Sequence, residues 1–219
     1  MQFTDVQPSN PFYTYVFCLA CEGIISGYQC EQIPAGPCDE QNNPWFKWEN
    51  NIIRGQIAKM VSNAANFNTD PGDQVFEDVD FTNPFYTWIN RLANAGVMGG
   101  YTCGGPGEPC GGTELPYFRP FANATRGQLA KIVANAGNVG GTPTGVFYTD
   151  VAEDNPFYLW IMQLTDLGVM SGYTCGGPGE PCDDQNRPYF RPFNNVTRGQ
   201  ASKIVANTFF PNCETLVGR

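Results

Sequence analysis

Cysteines, arginines and carboxylates are the side chains with chemistry to offer here, because the 219-residue chain has no histidine. That removes the commonest general base and metal ligand. Six of the nine cysteines form three pairs, Cys30/Cys38, Cys103/Cys110 and Cys175/Cys182, each bounding a Gly/Pro-rich stretch. One disulfide per loop is expected, each worth roughly 2–3 kcal/mol on the chain-entropy model. A zinc site built from Cys18, Cys21, Cys30 and Cys38 is the competing reading. The second and third pairs occur without any C-x-x-C, so the loop pair has its own explanation and no metal or other cofactor is expected. Cysteine usage of this kind points outside the cytosol. The arginines of interest open the string RGQ at Arg54, Arg126 and Arg198. A planar guanidinium suits a carboxylate, and a helix N-terminus favours anions. The acids offer less: Asp183-Asp184 is paired in one place only and reads as a solvated loop. Neither G-x-S-x-G nor a phosphate loop with GK[ST] is present, so the chain is read as a non-enzyme.

The arginine spacing shows how the chain is organised. RGQ recurs at 126 − 54 = 72 and 198 − 126 = 72 positions, and PFY at Pro11, Pro84 and Pro156. GYTCGGPGEPC occurs at 100–110 and again at 172–182, with GYQCEQIPAGPC at 27–38 as the earlier counterpart. Three units follow: 1–68, 69–140 and 141–219, the last with a C-terminal tail.

Each unit needs two helices to position these residues. FTDV, FEDV and YTDV open the units as a short strand or turn, followed by Asn10-Pro11, Asn83-Pro84 and Asn155-Pro156. Asn is a good N-cap and Pro a good first helical residue. Phe85, Trp88, Ile89 and Leu92 then make one apolar helix face. Gly23, Gly96 and Gly168 stand where these helices should stop in a left-handed residue. After the Cys-bounded loop and an aromatic turn, PYFRPF at 116–121 and 188–193, a second helix starts. Thr125 with Gln128, and Thr197 with Gln200, fit a capping box. Thr as helix cap also explains Asn123/Thr125 and Asn195/Thr197 better than glycosylation does. Leu129, Ile132, Val133 and Ala136 give the buried face. One helix–loop–helix cannot bury its apolar stripe alone; three can, and pseudo-threefold packing around a shared core is the natural solution.

Charge narrows the partners. The formal net charge is −9 with only 12 Lys and Arg, where a nucleic-acid binder would show a basic stripe. No apolar run approaches the roughly 20 residues of a membrane span, and no charged-then-apolar signal follows Met1.

The ordered motifs resemble the S-layer homology (SLH) domain family, whose pattern runs F-x-D-V, an aromatic helix, G-[IV]-[IM]-x-G-Y, an F-x-P turn and T-R-A-E. The second unit has FEDV, GVMGGY, FRPF and TRGQ; the third YTDV, GVMSGY, FRPF and TRGQ; the first FTDV, GIISGY, FKWE and IRGQ. The resemblance implies a mainly α fold, three-pronged around a central helical bundle. It also implies binding of envelope polysaccharide, anionic and often pyruvylated, in grooves between units, at the bacterial cell surface. Carried over by motif, the carbohydrate-binding residues are Arg54, Arg126 and Arg198, with Gly27-Tyr28, Gly100-Tyr101 and Gly172-Tyr173. Gln replaces the family's Glu in all three units, Ile53 stands where Thr125 and Thr197 do, and Trp48 takes the Pro120 position.

Cys18, Cys21 and Cys213 have no counterparts in the other units. In a pseudo-threefold ring the tail emerges beside the first helix. Cys213 is therefore expected to close the ring onto Cys18 or Cys21, with Cys21 favoured as nearer the helix end. The functional alternative to an anchor is a homo-oligomeric subunit of an S-layer, sheath or extracellular filament. The thiol left over favours that alternative, as does the absence of room for cargo beyond the three units.

Overall fold

The computed structural model describes residues 2–32, 36–145 and 147–213; Met1, part of the first Cys-bounded loop and the tail beyond Cys213 lie outside them. Six helices appear among the described residues, alternately short and long: α1 (Tyr13–Cys21), α2 (Arg54–Ala64), α3 (Tyr86–Asn94), α4 (Arg126–Ala136), α5 (Tyr158–Asp166) and α6 (Arg198–Phe209). Among the described residues the extended backbone makes isolated β-bridges only. Of the two alternatives at FTDV, FEDV and YTDV, strand or turn, the turn is the one present.

The long helices α2, α4 and α6 pack against one another, and each carries a short helix from another part of the chain: α3 on α2, α5 on α4, α1 on α6. Their inward residues, among them Ile57, Val61, Leu129, Val133, Ala201 and Val205, are completely buried. The short helices start later than Asn-Pro predicts. Asn10, Asn83 and Asn155 accept from the amides of Phe12, Phe85 and Phe157 at 2.9 Å, and the helix begins one residue beyond. The Asn therefore caps a turn that feeds the helix. At the other end Gly23, Gly96 and Gly168 take φ of 71°, 70° and 69°. The amide of Ile24 donates to Leu19 O and that of Gly23 to Ala20 O, which is the Schellman arrangement.

The Asp of each opening turn pins the aromatic turn that precedes a long helix. Asp78 accepts from the amides of Phe118 and Arg119 at 2.7 and 2.6 Å, and Asp150 from Phe190 and Arg191 at the same distances. Asp5 does this for Phe46 and Lys47 at 2.6 Å. These aspartates are thus spoken for and do not pair with the RGQ arginines.

The long helices interlock at their starts. Arg54 N–H donates to Ala122 O and Gly55 N–H to Pro120 O. Arg126 and Gly127 donate to Asn194 O and Pro192 O, and Arg198 and Gly199 to Asn50 O and Trp48 O. The helix N-termini were expected to offer amides to an anion. Their first two amides are instead taken by carbonyls of a neighbouring turn, so that contribution to anion binding is withdrawn.

Four disulfides are present: Cys30–Cys38, Cys103–Cys110, Cys175–Cys182 and Cys18–Cys213. The choice of Cys21 as partner of Cys213 is corrected. Cys18 is completely buried on the α1 face that meets α6, whereas Cys21, the last residue of α1, is an exposed free thiol. The tail crosses one turn before the helix end, bringing the Cys18 and Cys213 Cα atoms to 5.6 Å.

Candidate functional site

Three grooves of the same build lie where the interlocked turns meet the long helices. One is lined by Arg198, Gly27, Tyr28, Gln56, Lys59 and Phe85. The second is lined by Arg54, Gly100, Tyr101, Gln128, Lys131 and Phe157. The third is lined by Arg126, Gly172, Tyr173, Gln200, Lys203 and Phe12. Their cavities measure about 200, 220 and 180 Å³, close enough for one kind of ligand to suit all three. All nine carried-over residues line a groove, and each arginine sits with a Gly-Tyr pair distant in sequence.

The arginines are held in a way the sequence did not indicate. Arg54 donates from Nε to Phe118 O at 2.8 Å and from Nη2 to Gly99 O at 2.9 Å. Arg126 does the same to Phe190 O and Ser171 O, both at 2.8 Å, and Arg198 donates to Phe46 O at 2.7 Å. Each guanidinium lies over the Phe ring of its turn at 4.4–4.5 Å. Each is 6–7% exposed, and among the described residues none makes an ion pair. Burial lowers all three pKa values from the usual arginine value, while neighbouring tyrosines oppose the shift. A guanidinium remains charged through such a shift. Each groove therefore contains a desolvated cation whose side-chain hydrogen bonds among the described residues go to neutral carbonyls, in a chain of net charge −9.

Three classes of groove residue had roles that the sequence reading did not assign, the lysines first. Lys59, Lys131 and Lys203 sit five positions after each RGQ arginine, so their period was visible. Their ammonium groups rest over Trp88, Trp160 and Tyr15 at 4.5, 4.6 and 5.5 Å, adding a second cation to each groove. The glutamines were read only as caps. Gln128 Oε1 does accept the Thr125 amide at 3.1 Å, but its Nε2 also donates to the Tyr101 hydroxyl at 3.0 Å. Gln200 holds Tyr173 in the same way at 3.1 Å, and Gln56 holds Tyr28 at 2.8 Å. A glutamate could not donate to the tyrosine and would bring a negative charge beside the arginine. At Ile53 the helix start has no side-chain oxygen, and only the Ile53 amide to Gln56 Oε1 contact at 3.4 Å remains.

The third class of missed residue is the phenylalanine wall. A Cβ at Gly55, Gly127 or Gly199 would lie 2.4, 2.4 or 2.6 Å from Cδ2 of Phe85, Phe157 or Phe12. Glycine in RGQ thus lets an aromatic ring pack closely on the helix start and bound a groove. Gly127→Ala is expected to lower stability by about 1–3 kcal/mol through overpacking against Phe157 and Pro192 O. Thermal unfolding followed by circular dichroism should show a midpoint lower by roughly 2–10 °C. Gly140→Ala, where an added Cβ meets nothing within 4 Å, is the control that should leave the midpoint in place.

Among the described residues no group of three or more His, Cys, Asp or Glu is placed to hold a metal ion, and no helix is long and apolar enough to cross a membrane. Residues 147–202 match the family model of the S-layer homology domain. No curated protein matches the chain. Residues 147–202 are thus similar to an S-layer homology domain, and they lie within a helical pattern that already repeats through the residues before them.

Proposed function

We propose that this chain is a non-catalytic module that binds an anionic envelope polysaccharide and so attaches protein at the bacterial cell surface. In this reading 1–68, 69–140 and 141–219 are three S-layer homology units, arranged with pseudo-threefold, three-pronged symmetry around a central bundle of α2, α4 and α6. The cyclic pairing of α3 with α2, α5 with α4 and α1 with α6 supports that arrangement. The observation that carries the function is the buried guanidinium in each groove, in no ion pair among the described residues, beside a lysine and a tyrosine ring. A carboxylate on a sugar, such as a pyruvyl ketal, supplies the missing counter-charge to Arg54, Arg126 or Arg198. Tyr28, Tyr101 and Tyr173 supply a flat face for the sugar ring, and Gly27, Gly100 and Gly172 allow close backbone approach. A Cβ at Gly100 would meet Tyr117 O and the Phe76 ring at 2.7 Å, so larger residues are refused there. Four disulfides fit an extracellular setting.

A second reading, a self-assembling subunit of a surface layer, sheath or filament, is favoured by the exposed thiol of Cys21, which is free to link copies. One experiment separates the two. The purified chain is sedimented with cell-wall polysaccharide, before and after the polysaccharide carboxyl groups are reduced to alcohols. The anchor reading expects binding that is lost on reduction. Sedimentation of the chain alone, unchanged by either polysaccharide, would replace that reading with self-assembly.

A further inference from the structure

The Cys-bounded loops are the part of the molecule that the groove description leaves without a task. In the second loop, Cys103–Cys110 closes a small hairpin in which Gly104 N–H donates to Glu108 O at 2.7 Å and Glu108 N–H to Gly105 O at 3.0 Å. The Tyr117 hydroxyl ties down Pro109 O at 3.0 Å. The loop so fixed presents the Glu108 carboxylate to Arg119, with Nε to Oε1 at 2.6 Å and Nη2 to Oε2 at 2.7 Å. Arg119 itself is at φ 60°, its amide held by Asp78. Its guanidinium lies over the Tyr101 ring at 3.8 Å, while the groove arginine Arg54 lies over that ring at 5.3 Å. The third loop repeats every part of this: Cys175–Cys182, Glu180 to Arg191 at 2.6 and 2.7 Å, and Arg191 over Tyr173 at 4.0 Å.

The first unit lacks the device. Gly36 stands before Pro37-Cys38 where Glu108 and Glu180 stand before their Pro-Cys, and Lys47 replaces the arginine. The Lys47 ammonium rests over Trp45 at 4.5 Å, and among the described residues the cation over the Tyr28 ring is the groove arginine, Arg198, at 5.2 Å.

We propose that Glu108–Arg119 and Glu180–Arg191 are positioning pairs, through which the disulfide-closed loops hold Tyr101 and Tyr173 in their ligand-contacting orientation. The Tyr28 groove is left without such support. What the tyrosines contact rests on the anionic-sugar reading above; that the loops hold them does not. A bidentate carboxylate–guanidinium pair fixes the plane of the guanidinium as well as its place. A fixed plane stacked on the ring limits how the tyrosine tilts, and its hydroxyl is already held by Gln128 or Gln200. Presetting a contact residue raises affinity by removing the ordering cost at binding. The pair acts at neutral pH: the hydrogen bond from Arg119 holds the Glu108 carboxyl below its usual value, as Arg191 does for Glu180. A carboxyl so depressed keeps its contribution above the usual carboxylate range and loses it as pH falls through the lower, folded-state value.

The test uses the whole chain labelled with ring-13C tyrosine, and Glu108→Ala and Glu180→Ala one at a time. Without ligand, Glu108→Ala should shift and broaden the Tyr101 ring resonance and leave Tyr28 and Tyr173 in place, with Glu180→Ala doing the reverse for Tyr173. An unmoved Tyr101 resonance overturns the proposal whatever the ligand turns out to be. On titration with the methyl glycoside of a pyruvylated sugar, each tyrosine reports its own groove. Glu108→Ala should weaken the Tyr101 site by roughly tenfold and the Tyr28 site not at all. Equal weakening at Tyr28 and Tyr101 would mean a merely structural role and would overturn it. No response from any of the three tyrosines in the unmutated chain would count against the anionic-sugar reading alone, because the ligand-free spectra still decide the loop claim.

Discussion

Replacing Cys18 and Cys213 together by alanine is expected to loosen α1 while leaving α3 and α5 docked. The three joints between a short and a long helix are not covalently equal. α3 is the next helix after α2 in the chain and α5 the next after α4, each joined to it by one continuous connection. α1 and α6 lie at opposite ends, and the Cys18–Cys213 disulfide spans 195 residues between them. On the chain-entropy model a closure that long restricts the unfolded chain by about 5 kcal/mol, an upper figure. Domains of this kind are stable by only about 5–15 kcal/mol in total, so the effect should be large. Alanine suits the test better than serine because both sulfurs are buried, at 0% and 2% exposure, where a hydroxyl would need a partner. Amide hydrogen exchange should rise in α1 and stay near its original rate in α3 and α5. Cys21→Ala, altering only an exposed free thiol, should change neither exchange nor unfolding midpoint. Uniformly raised exchange across α1, α3 and α5 would contradict the idea that the disulfide substitutes for a missing linker.

The largest effect on binding is expected from the triple substitution Arg54→Lys, Arg126→Lys and Arg198→Lys. Alanine at these positions confounds two effects, because Arg126 satisfies the buried carbonyl of Phe190, and also binds that of the exposed Ser171, as well as carrying charge. Leaving such a buried carbonyl unpaired costs about 1–3 kcal/mol. Lysine keeps the charge and much of the apolar stem but loses the planar fork, which alone can hold the carbonyls and still face a carboxylate. A charge-assisted contact is worth about 1.5–3 kcal/mol, so each groove should weaken by roughly ten- to a hundredfold. With all three altered, co-sedimentation with cell-wall polysaccharide should disappear while circular dichroism stays native. Undiminished co-sedimentation would assign the arginines to the architecture alone, as clips between the long helices and neighbouring turns.

Much of this protein was legible without coordinates. The 72-residue recurrence of RGQ, the Gly at each short-helix end and the Thr–Gln pairs are local signals, set by backbone conformation and by hydrogen bonds that reach only a few residues. The left-handed Gly23, Gly96 and Gly168 and the caps at Thr125 and Thr197 accordingly stand where the sequence puts them. Even the loop pairs Cys103–Cys110 and Cys175–Cys182 are local, their halves 7 residues apart.

What tertiary structure decided is everything that depends on which surfaces meet. The choice of Cys18 over Cys21 turned on where the tail crosses α1, which no spacing within the helix encodes. The helix N-termini look open to anions in sequence, but Arg126 and Gly127 find Asn194 O and Pro192 O in a distant turn. The same encounter explains Gly127 itself, since only contact with the Phe157 ring excludes a methyl group there. Lys131 and Phe157 gain a role only when α4 and α5 bring them beside Arg54. The motifs of a repeat reveal which residues recur, because recurrence is a property of the chain. Which of them share a groove is a property of packing, because each groove draws its arginine, its tyrosine and its phenylalanine from three separate stretches of that chain.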